Sequence, residues 1–285
     1  MTLIYKNILS LVVDNVINES HNKIKSMTIS ELNEMCNNSE LKSVIKSFDV
    51  QKKLNNKIWV KNKINSRIRL KLLDIADEFF ESLQVDWVKP IDIIFTGSLA
   101  NYNWSKYSDI DLHIVLDFKD VDERTTFVKD YFDSKKKLWN EEHENLTICG
   151  FPVELYVQDK NEKHSSSGVY SLEKNEWIVE PNRDDFMSSK LNKDMIVNKS
   201  AKFIDEIDKL EKKIKLEHDT AKLDILSKKV KNLYDKLKGI RKESLKNGNE
   251  MSFGNIIWKV LRRTKYIEKI FKLKTQTYDK INSIK

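Results

Sequence analysis

The sequence predicts an α+β protein in which a small mixed β-sheet is preceded by helices and followed by a helical C-terminal region. Glycine (6 residues) and proline (3) are scarce, and charged residues make up 33% of the 285-residue chain, which is typical of a helix-rich soluble protein. Short β-branched runs lie in the middle of the chain, and apolar residues at three- and four-residue steps fill the regions on either side. We expect an N-terminal helical segment at 1–50, a mixed-sheet domain at 51–180 and a basic helical domain at 181–285.

The first 50 residues have the pattern of short helices. Thr28 and Glu31 have the spacing of a capping box. Residues 3–17 are apolar in places, but Asn, Lys and Asp interrupt them and no small-residue cleavage site follows, so they are typical of an amphipathic helix rather than a signal peptide or membrane span. Cys36 and Cys149 lie far apart, which suggests neither a disulfide framework nor a zinc site and favours a reducing compartment.

The next elements are a long helix and a buried strand. Apolar residues at helical spacing predict the helix from about residue 58 to 83: Ile64, Ile68, Leu72, Ile75, Phe79 and Leu83. The Asp86–Pro90 segment breaks this pattern. Residues 91–96, Ile-Asp-Ile-Ile-Phe-Thr, then have the composition of a mostly buried strand, which ends on Gly97-Ser98.

The remainder of the sheet is predicted from alternation and turn residues. A strand at 109–117 shows clear alternation, and a charged helix near 121–138 follows it. The turn at Gly150 joins two runs that resemble a hairpin, 146–149 and 152–158. After the polar loop at 164–167, short strand-like runs lie at 169–172 and 177–179.

The C-terminal region reads as helices. One apolar run spans 203–214 and a second spans 223–240, which predicts an antiparallel helix pair. A loop at 247–249 and a last helix at about 255–271 complete the pattern. The net charge of +7 is concentrated here, since residues 201–285 hold 23 Lys/Arg against 12 Asp/Glu and residues 1–200 hold 28 against 32. The excess is compatible with a polyanionic partner, or equally with a solvated lysine-rich helix face.

Chemistry-bearing residues lie around the predicted sheet. Gly97-Ser98 ends a strand and opens a helical turn, which lets backbone N–H groups approach a phosphate. Asp109 and Asp111 are two apart in a strand, so their side chains lie on one face, where they could bridge a pair of Mg²⁺ ions. Glu154 points from the polar face of another strand, and since an unpaired buried carboxylate is costly, it can complete the metal site.

Together these residues resemble the signature of the DNA polymerase β-type nucleotidyltransferase superfamily: Gly-Ser, a spacer near ten residues, Asp-hydrophobic-Asp, then a third Asp or Glu on a nearby strand. The match covers residues 95–157, with Glu154 at a position where many members have Asp. A looser resemblance links residues 164–170 and 254–263 to uncharacterised nucleotidyltransferases of large tailed phages. We expect a cytoplasmic location, which would be the host cytoplasm for a phage-encoded protein.

The superfamily resemblance implies an activity and a site. It implies that residues 51–180 are a catalytic domain that moves NMP from an NTP, ATP among them, to an acceptor hydroxyl with release of pyrophosphate. Asp109 and Asp111 would bridge two Mg²⁺ or Mn²⁺ ions, and Glu154 would complete the nucleophile-side ion and help accept the hydroxyl proton. Gly97 and Ser98 would bind the triphosphate. A helical portion covering the nucleotide suits residues 181–285.

The acceptor does not follow from the fold, because one metal core serves RNA, DNA, proteins and small molecules. The basic C-terminal third favours a nucleic acid, especially RNA, and no membrane partner is expected; the oligomeric state is open. The alternatives are transfer to a protein or a small molecule, a non-catalytic phage structural or interaction protein that retains the fold, and a sugar transferase that uses Asp-x-Asp.

Several other residues could have either a functional or a structural role. His113 shares the parity of Asp111, although a structural histidine is favoured over a catalytic one. Other residues could contact substrate or serve packing and solvation: Ser105, Lys106 and Ser108 in the spacer, Tyr102 and Trp104 beside the strand end, the loop at 164–167, and Arg262 and Arg263.

Overall fold

A computed structural model describes residues 39–162, 166–187, 192–247 and 250–283. The capping box at Thr28 and the amphipathic helix expected at 3–17 lie outside these residues. The chain divides into two compact units, Lys46–Leu191 and a second one made of Met1–Ile45 with Asn192–Lys285. Among the described residues, no helix is long and apolar enough to cross a membrane.

The unit Lys46–Leu191 contains a small mixed sheet with helices. Its strands are β1 (Trp59–Val60), β2 (Lys63–Ile64), β3 (Asp92–Thr96), β4 (Ile110–Leu116), β5 (Thr147–Ile148), β6 (Phe151–Asp159), β7 (Val169–Ser171) and β8 (Glu176–Val179). Its helices are α1 (Ser66–Ser82), α2 (Phe118–Val121), α3 (Thr125–Glu142) and α4 (Asp184–Met187). Six strands form one sheet in the order β5-β6-β4-β3-β7-β8. Only the β4–β6 pairing is parallel within that sheet, so the prediction of an α+β fold with a small mixed sheet is confirmed.

The helix predicted from residue 58 begins later, at Ser66. The eight preceding residues contain the β1–β2 hairpin, whose turn residues Lys61 and Asn62 have φ angles of 49° and 64°. Left-handed backbone at two consecutive residues cannot continue a right-handed helix. Asn65 then caps α1, because its side chain accepts a hydrogen bond from the Arg67 N–H.

Strand β4 lies between β3 and β6 and is central to the core of this unit. Ile110, Leu112 and Ile114 are fully buried, as the alternation predicted. The β5–β6 hairpin is also confirmed, with Cys149 and Gly150 at positive φ in its turn. The charged helix predicted near 121–138 corresponds to α3 (Thr125–Glu142), which begins four residues later, and the short helix α2 precedes it. They are separate because Asp122 is extended, at φ −162° and ψ 145°, where α2 ends.

The described part of the second unit is helical. Residues 39–45 are helical, and α5 (Lys193–Leu216), α6 (Thr220–Asn247), α7 (Phe253–Arg263) and α8 (Tyr266–Asn282) follow. The predicted pair α5–α6 is confirmed, but the last predicted helix is two helices, because Lys265 adopts a left-handed φ of 66° between them. An ion pair of the Lys269 ammonium with Asp208, 2.6 Å apart, joins α8 to α5. The division at 1–50, 51–180 and 181–285 stays a prediction.

Candidate active site

Strand register brings the predicted carboxylates together. Asp111 lies opposite Glu154 in the parallel β4–β6 ladder and opposite Thr96 in the antiparallel β3–β4 ladder. Asp109 directly precedes β4 and has the parity of Asp111. Carboxylate oxygens of Asp109, Asp111 and Glu154 lie within 4.8 Å of one another, and all three residues are half-buried.

Three carboxylates at this separation repel one another, and a bound cation would offset that repulsion. Two unit negative charges about 4 Å apart repel by ~1 kcal/mol in bulk water and by ~4 kcal/mol at an effective dielectric constant of ~20. Oxygen-only ligand sets with negative charge suit hard divalent cations such as Mg²⁺ and Mn²⁺. The chemistry and the spacing of the donor set therefore fit a divalent metal site.

Gly97 is required by the position of Asp111. It adopts φ 76° and ψ −164°, a combination that is essentially restricted to glycine. A Cβ atom at this position would lie 1.8 Å from Asp111 Oδ2 and 2.8 Å from its Cγ. The residue after β3 must therefore lack a side chain for the Asp111 carboxylate to take its place in the cluster.

Ser98 begins a short 3₁₀ turn, Ser98–Ala100, and its hydroxyl group is already hydrogen-bonded. Ser98 Oγ donates to Ser108 Oγ over 2.7 Å, and Ser108 Oγ accepts the Ser105 N–H over 2.9 Å. Ser105 and Ser108 are 5% and 3% exposed, so these spacer serines close the loop between β3 and β4. Lys106, by contrast, is exposed.

Asn101 ties the turn after β3 to the serine-containing loop. Its Nδ2 donates to the Gly97 carbonyl over 2.8 Å and to Ser166 Oγ over 3.1 Å. Its Oδ1 accepts a hydrogen bond from Ser167 Oγ over 2.9 Å. A Cβ at Gly168 would lie 2.1 Å from the Ala100 carbonyl oxygen, so the loop packs directly on the turn. Residues 163–165 of the same loop lie outside the described part.

Tyr156 contacts the carboxylate cluster directly. Its hydroxyl donates to Glu154 Oε2 over 2.5 Å, its ring stacks on His113 with centroids 4.7 Å apart, and the Lys136 ammonium lies 3.3 Å from the ring centroid. Burial, and after it the charges of Glu154 and Asp111, raises the pKa of Tyr156 well above the usual range of a tyrosine, so its hydroxyl keeps the proton that it donates. Burial lowers the pKa of Lys136, and the nearby carboxylates, Glu154 first, oppose that shift.

The structure adds residues that sequence reasoning missed. Tyr156 is two residues beyond Glu154 in β6, so the parity argument already places it on the same face. Asn101 and Lys136 carry no such signal, because their proximity depends on the paths of a loop and of α3. His113 lies with Nε2 3.3 Å from Thr96 Oγ1 and stacks on Tyr156, as a packed histidine would. Trp104 donates its indole N–H to the Lys53 carbonyl over 2.9 Å, which is a packing role.

Comparison with known protein families identifies the domain that contains the carboxylate cluster. The family model of the nucleotidyltransferase domain matches residues 76–180, a little over a third of the chain, and this segment includes all three carboxylates. The chain contains a nucleotidyltransferase domain. The resemblance to the polymerase β-type superfamily is confirmed, and with it the expectation of an enzyme that transfers nucleotidyl groups. The narrower resemblance to proteins of large tailed phages stays a prediction.

Comparisons with individual proteins do not identify the nucleotide or the acceptor. No curated protein matches the sequence. Among solved structures, a STING-associated CdnE c-di-GMP synthase from Capnocytophaga granulosa matches with 15% identity over 76% of this chain and 84% of that chain. The TM-score is 0.22, which is too low to support an inference about function. The nucleotide and the acceptor must therefore be inferred from the chain itself.

Proposed function

We propose that this nucleotidyltransferase moves an NMP group from an NTP to the hydroxyl of a nucleic acid, RNA in particular, with Asp109, Asp111 and Glu154 as metal ligands. The single observation that supports the site is the carboxylate cluster, whose oxygens lie within 4.8 Å of one another. The charge of the C-terminal third, 23 Lys/Arg against 12 Asp/Glu, supports the polyanionic acceptor.

The metal ligands are three carboxylates from two adjacent strands. Asp109 and Asp111 would hold both ions and Glu154 one of them, as the parity of β4 and the Asp111–Glu154 pairing allow. When bound, two Mg²⁺ or Mn²⁺ ions lower the pKa of an attacking hydroxyl and neutralise charge on the pyrophosphate leaving group. Tyr156 holds one oxygen of Glu154 by its hydrogen bond, which orients the ligand for its role.

The remaining steps use the protein's own groups. The acceptor oxygen forms a bond to the α-phosphorus while the bond from that phosphorus to the bridging oxygen of the β-phosphate breaks, and pyrophosphate leaves with the bonding electrons. Glu154 helps accept the proton of the acceptor hydroxyl through its second carboxylate oxygen. Backbone N–H groups at Gly97-Ser98 position the triphosphate, and the Ser98 hydroxyl adds a donor if it exchanges its hydrogen bond with Ser108 for a phosphate oxygen.

Label transfer tests the reaction and the acceptor together. The purified protein is incubated with each α-labelled NTP, Mg²⁺ or Mn²⁺, and total cellular RNA, DNA and protein. We expect label to enter RNA with the wild type and not with the Asp111→Asn variant. Label in protein or in a small-molecule product would overturn the acceptor, and transfer by Asp111→Asn would overturn the site.

A matched variant separates the site from a general effect of charge. Asp130 is an exposed carboxylate on α3, so Asp130→Asn removes the same charge from the same unit without touching the cluster. It should transfer label at the wild-type rate. Mn²⁺ binding, followed by electron paramagnetic resonance, gives a readout that needs no acceptor: binding should be lost in Asp111→Asn and retained in Asp130→Asn.

A further inference from the structure

Helices α6, α7 and α8 meet at a cluster of aromatic rings. The Tyr234 ring lies between Trp258 of α7, 6.4 Å away between centroids, and Phe271 of α8, 6.1 Å away. Trp258 is buried, whereas Phe271 is 52% exposed. The rings therefore run from the core of the second unit to its surface.

Cationic side chains surround these rings. The ammonium groups of Lys238 and Lys274 lie 5.5 Å and 5.8 Å from the Tyr234 centroid, and the Arg241 guanidinium lies 5.3 Å from the Trp258 centroid. The aromatic–basic face is formed by Tyr234, Lys238, Arg241, Trp258, Phe271 and Lys274. Three cations thus lie within about 6 Å of ring centroids in the cluster, which is the range of cation–π attraction.

Arg241 is poorly neutralised at this face. Burial and then the like charge of Arg262 lower its pKa, and Glu250 opposes the shift. Its Nε is buried and makes no hydrogen bond to the part of the chain that the structure describes. A buried donor without a hydrogen bond beside the like charge of Arg262 is unfavourable. A phosphate at the accessible part of the half-buried Arg241 side chain would offset the repulsion between the two guanidinium groups.

Two exposed rings on α8 extend the face. Tyr278, which is 64% exposed, lies seven residues after Phe271, so both rings point to the same side of the helix about 10 Å apart. Lys274 lies between them on that side. Large exposed rings that alternate with cations are the combination that single-stranded nucleic acids use, because every base offers a flat face for stacking and every phosphate a charge.

We propose that the aromatic–basic face, with Tyr278, binds a single-stranded nucleic acid. Its phosphates would contact Lys238, Arg241 and Lys274, and its unpaired bases would stack on Phe271 and Tyr278. Stacked bases rise about 3.4 Å each, so the two rings would hold bases that are not neighbours in the strand. Identifying the bound strand as the acceptor rests on the proposed function, whereas binding itself does not.

Fluorescence anisotropy of end-labelled oligonucleotides on the full chain tests the face. We expect a 20-nucleotide single strand to bind more tightly than the duplex of the same sequence, with an affinity that falls as salt rises. Phe271→Ala and Tyr278→Ala should each weaken single-strand binding by about tenfold, and Phe271→Tyr, which keeps a ring, should bind like the wild type. RNA and DNA strands of one sequence show which sugar is preferred.

Matched controls make the result specific. Lys274→Gln should weaken binding, whereas Lys272→Gln, an equal change of charge on the adjacent side of α8, should weaken it less. Phe127→Ala removes an equally exposed ring, 61% exposed, from the other unit and should leave binding intact. Equal affinity for the duplex, or ring variants that bind like the wild type, would overturn the proposal. Asp111→Asn should bind the strand normally, because the substitution leaves the aromatic–basic face unchanged. A wild-type protein that binds the strand but transfers no label to it would count against the proposed function alone.

Discussion

Replacing Gly97 by alanine tests whether the Gly-Ser turn and the carboxylates form one unit. The backbone at Gly97, with φ 76° and ψ −164°, costs an alanine ~1–3 kcal/mol of stability. The added Cβ would in addition stand 1.8 Å from Asp111 Oδ2, about half of an ordinary van der Waals contact of ~3.5–4.0 Å. Asp111 is fixed between two strands, so we expect its carboxylate to leave the cluster and metal binding to fall at least about tenfold.

Gly150→Ala is the matched control for this variant. Gly150 also has positive φ, 83°, but a Cβ there would meet nothing within 4 Å, so it carries the backbone strain without the clash. Urea unfolding should show a loss of stability for both variants, while Mn²⁺ titration and nucleotidyl transfer should fail only for Gly97→Ala. Metal affinity in Gly97→Ala equal to that of Gly150→Ala would refute the argument, because it would show that Asp111 can take another position at no cost.

Three further outcomes follow from the structure. Tyr156→Phe removes the hydroxyl that donates a hydrogen bond to Glu154 over 2.5 Å, and it should lower the Mn²⁺ affinity by about 10- to 100-fold. Tyr131→Phe is the control: it removes a hydrogen bond to the Leu83 backbone carbonyl instead, and it should leave the Mn²⁺ affinity unchanged. Burial raises the pKa of Asp159, but hydrogen bonds from the backbone N–H groups of Asn161 and Phe118 and from the Asn161 side chain outweigh burial and hold the pKa below its usual range. The stability that Asp159 contributes is therefore present above its unfolded pKa and is lost as pH falls through its folded pKa. Asp159→Asn should reduce this loss of stability in acid, measured by unfolding at a series of pH values. Gly239→Ala should raise stability by ~0.5–1 kcal/mol, because the residue lies inside α6 with open space at its Cβ; lower stability in urea would contradict this.

The carboxylate positions could be predicted because strand parity is a local property. Asp109 and Asp111 share a face in any strand that contains them, and Glu154 has the opposite parity to the apolar residues of β6. The pairing of Asp111 with Glu154 is different, since it depends on β6 joining β4 in parallel. The alternation of residues in the sequence does not show which strand pairs with which. The sequence therefore predicts which carboxylates share a face more firmly than it predicts the distances between them.

Two of the errors in the predicted helices share one physical origin. The β1–β2 turn at Lys61 and the break before α8 at Lys265 both place an ordinary lysine at positive φ. Periodicity of apolar residues continues across each break, because buried residues lie on both sides of it: Ile58 and Ile64 at the first break, Leu261 and Ile270 at the second. A left-handed lysine gives no signal in the composition, so the break at Lys265 could not be predicted from the pattern. At the first break, Asn62 also has positive φ, and an asparagine there is the one residue that could have indicated the turn.

The spacing between Gly-Ser and Asp-x-Asp follows from the antiparallel pairing of β3 with β4. Thr96, the last residue of β3, lies opposite Asp111, so the next residue must pass beside the Asp111 carboxylate and has room only for a hydrogen as its side chain. The chain then needs a loop to reverse direction and return to Asp109, and Ser98 with Ser108 close that loop through a hydroxyl–hydroxyl hydrogen bond. The glycine is therefore a consequence of placing Asp111 opposite the end of β3, and Ser98 and Ser108 stabilise the loop that connects the two strands. For this reason a substitution at Gly97 should displace the Asp111 carboxylate before it affects any bound phosphate.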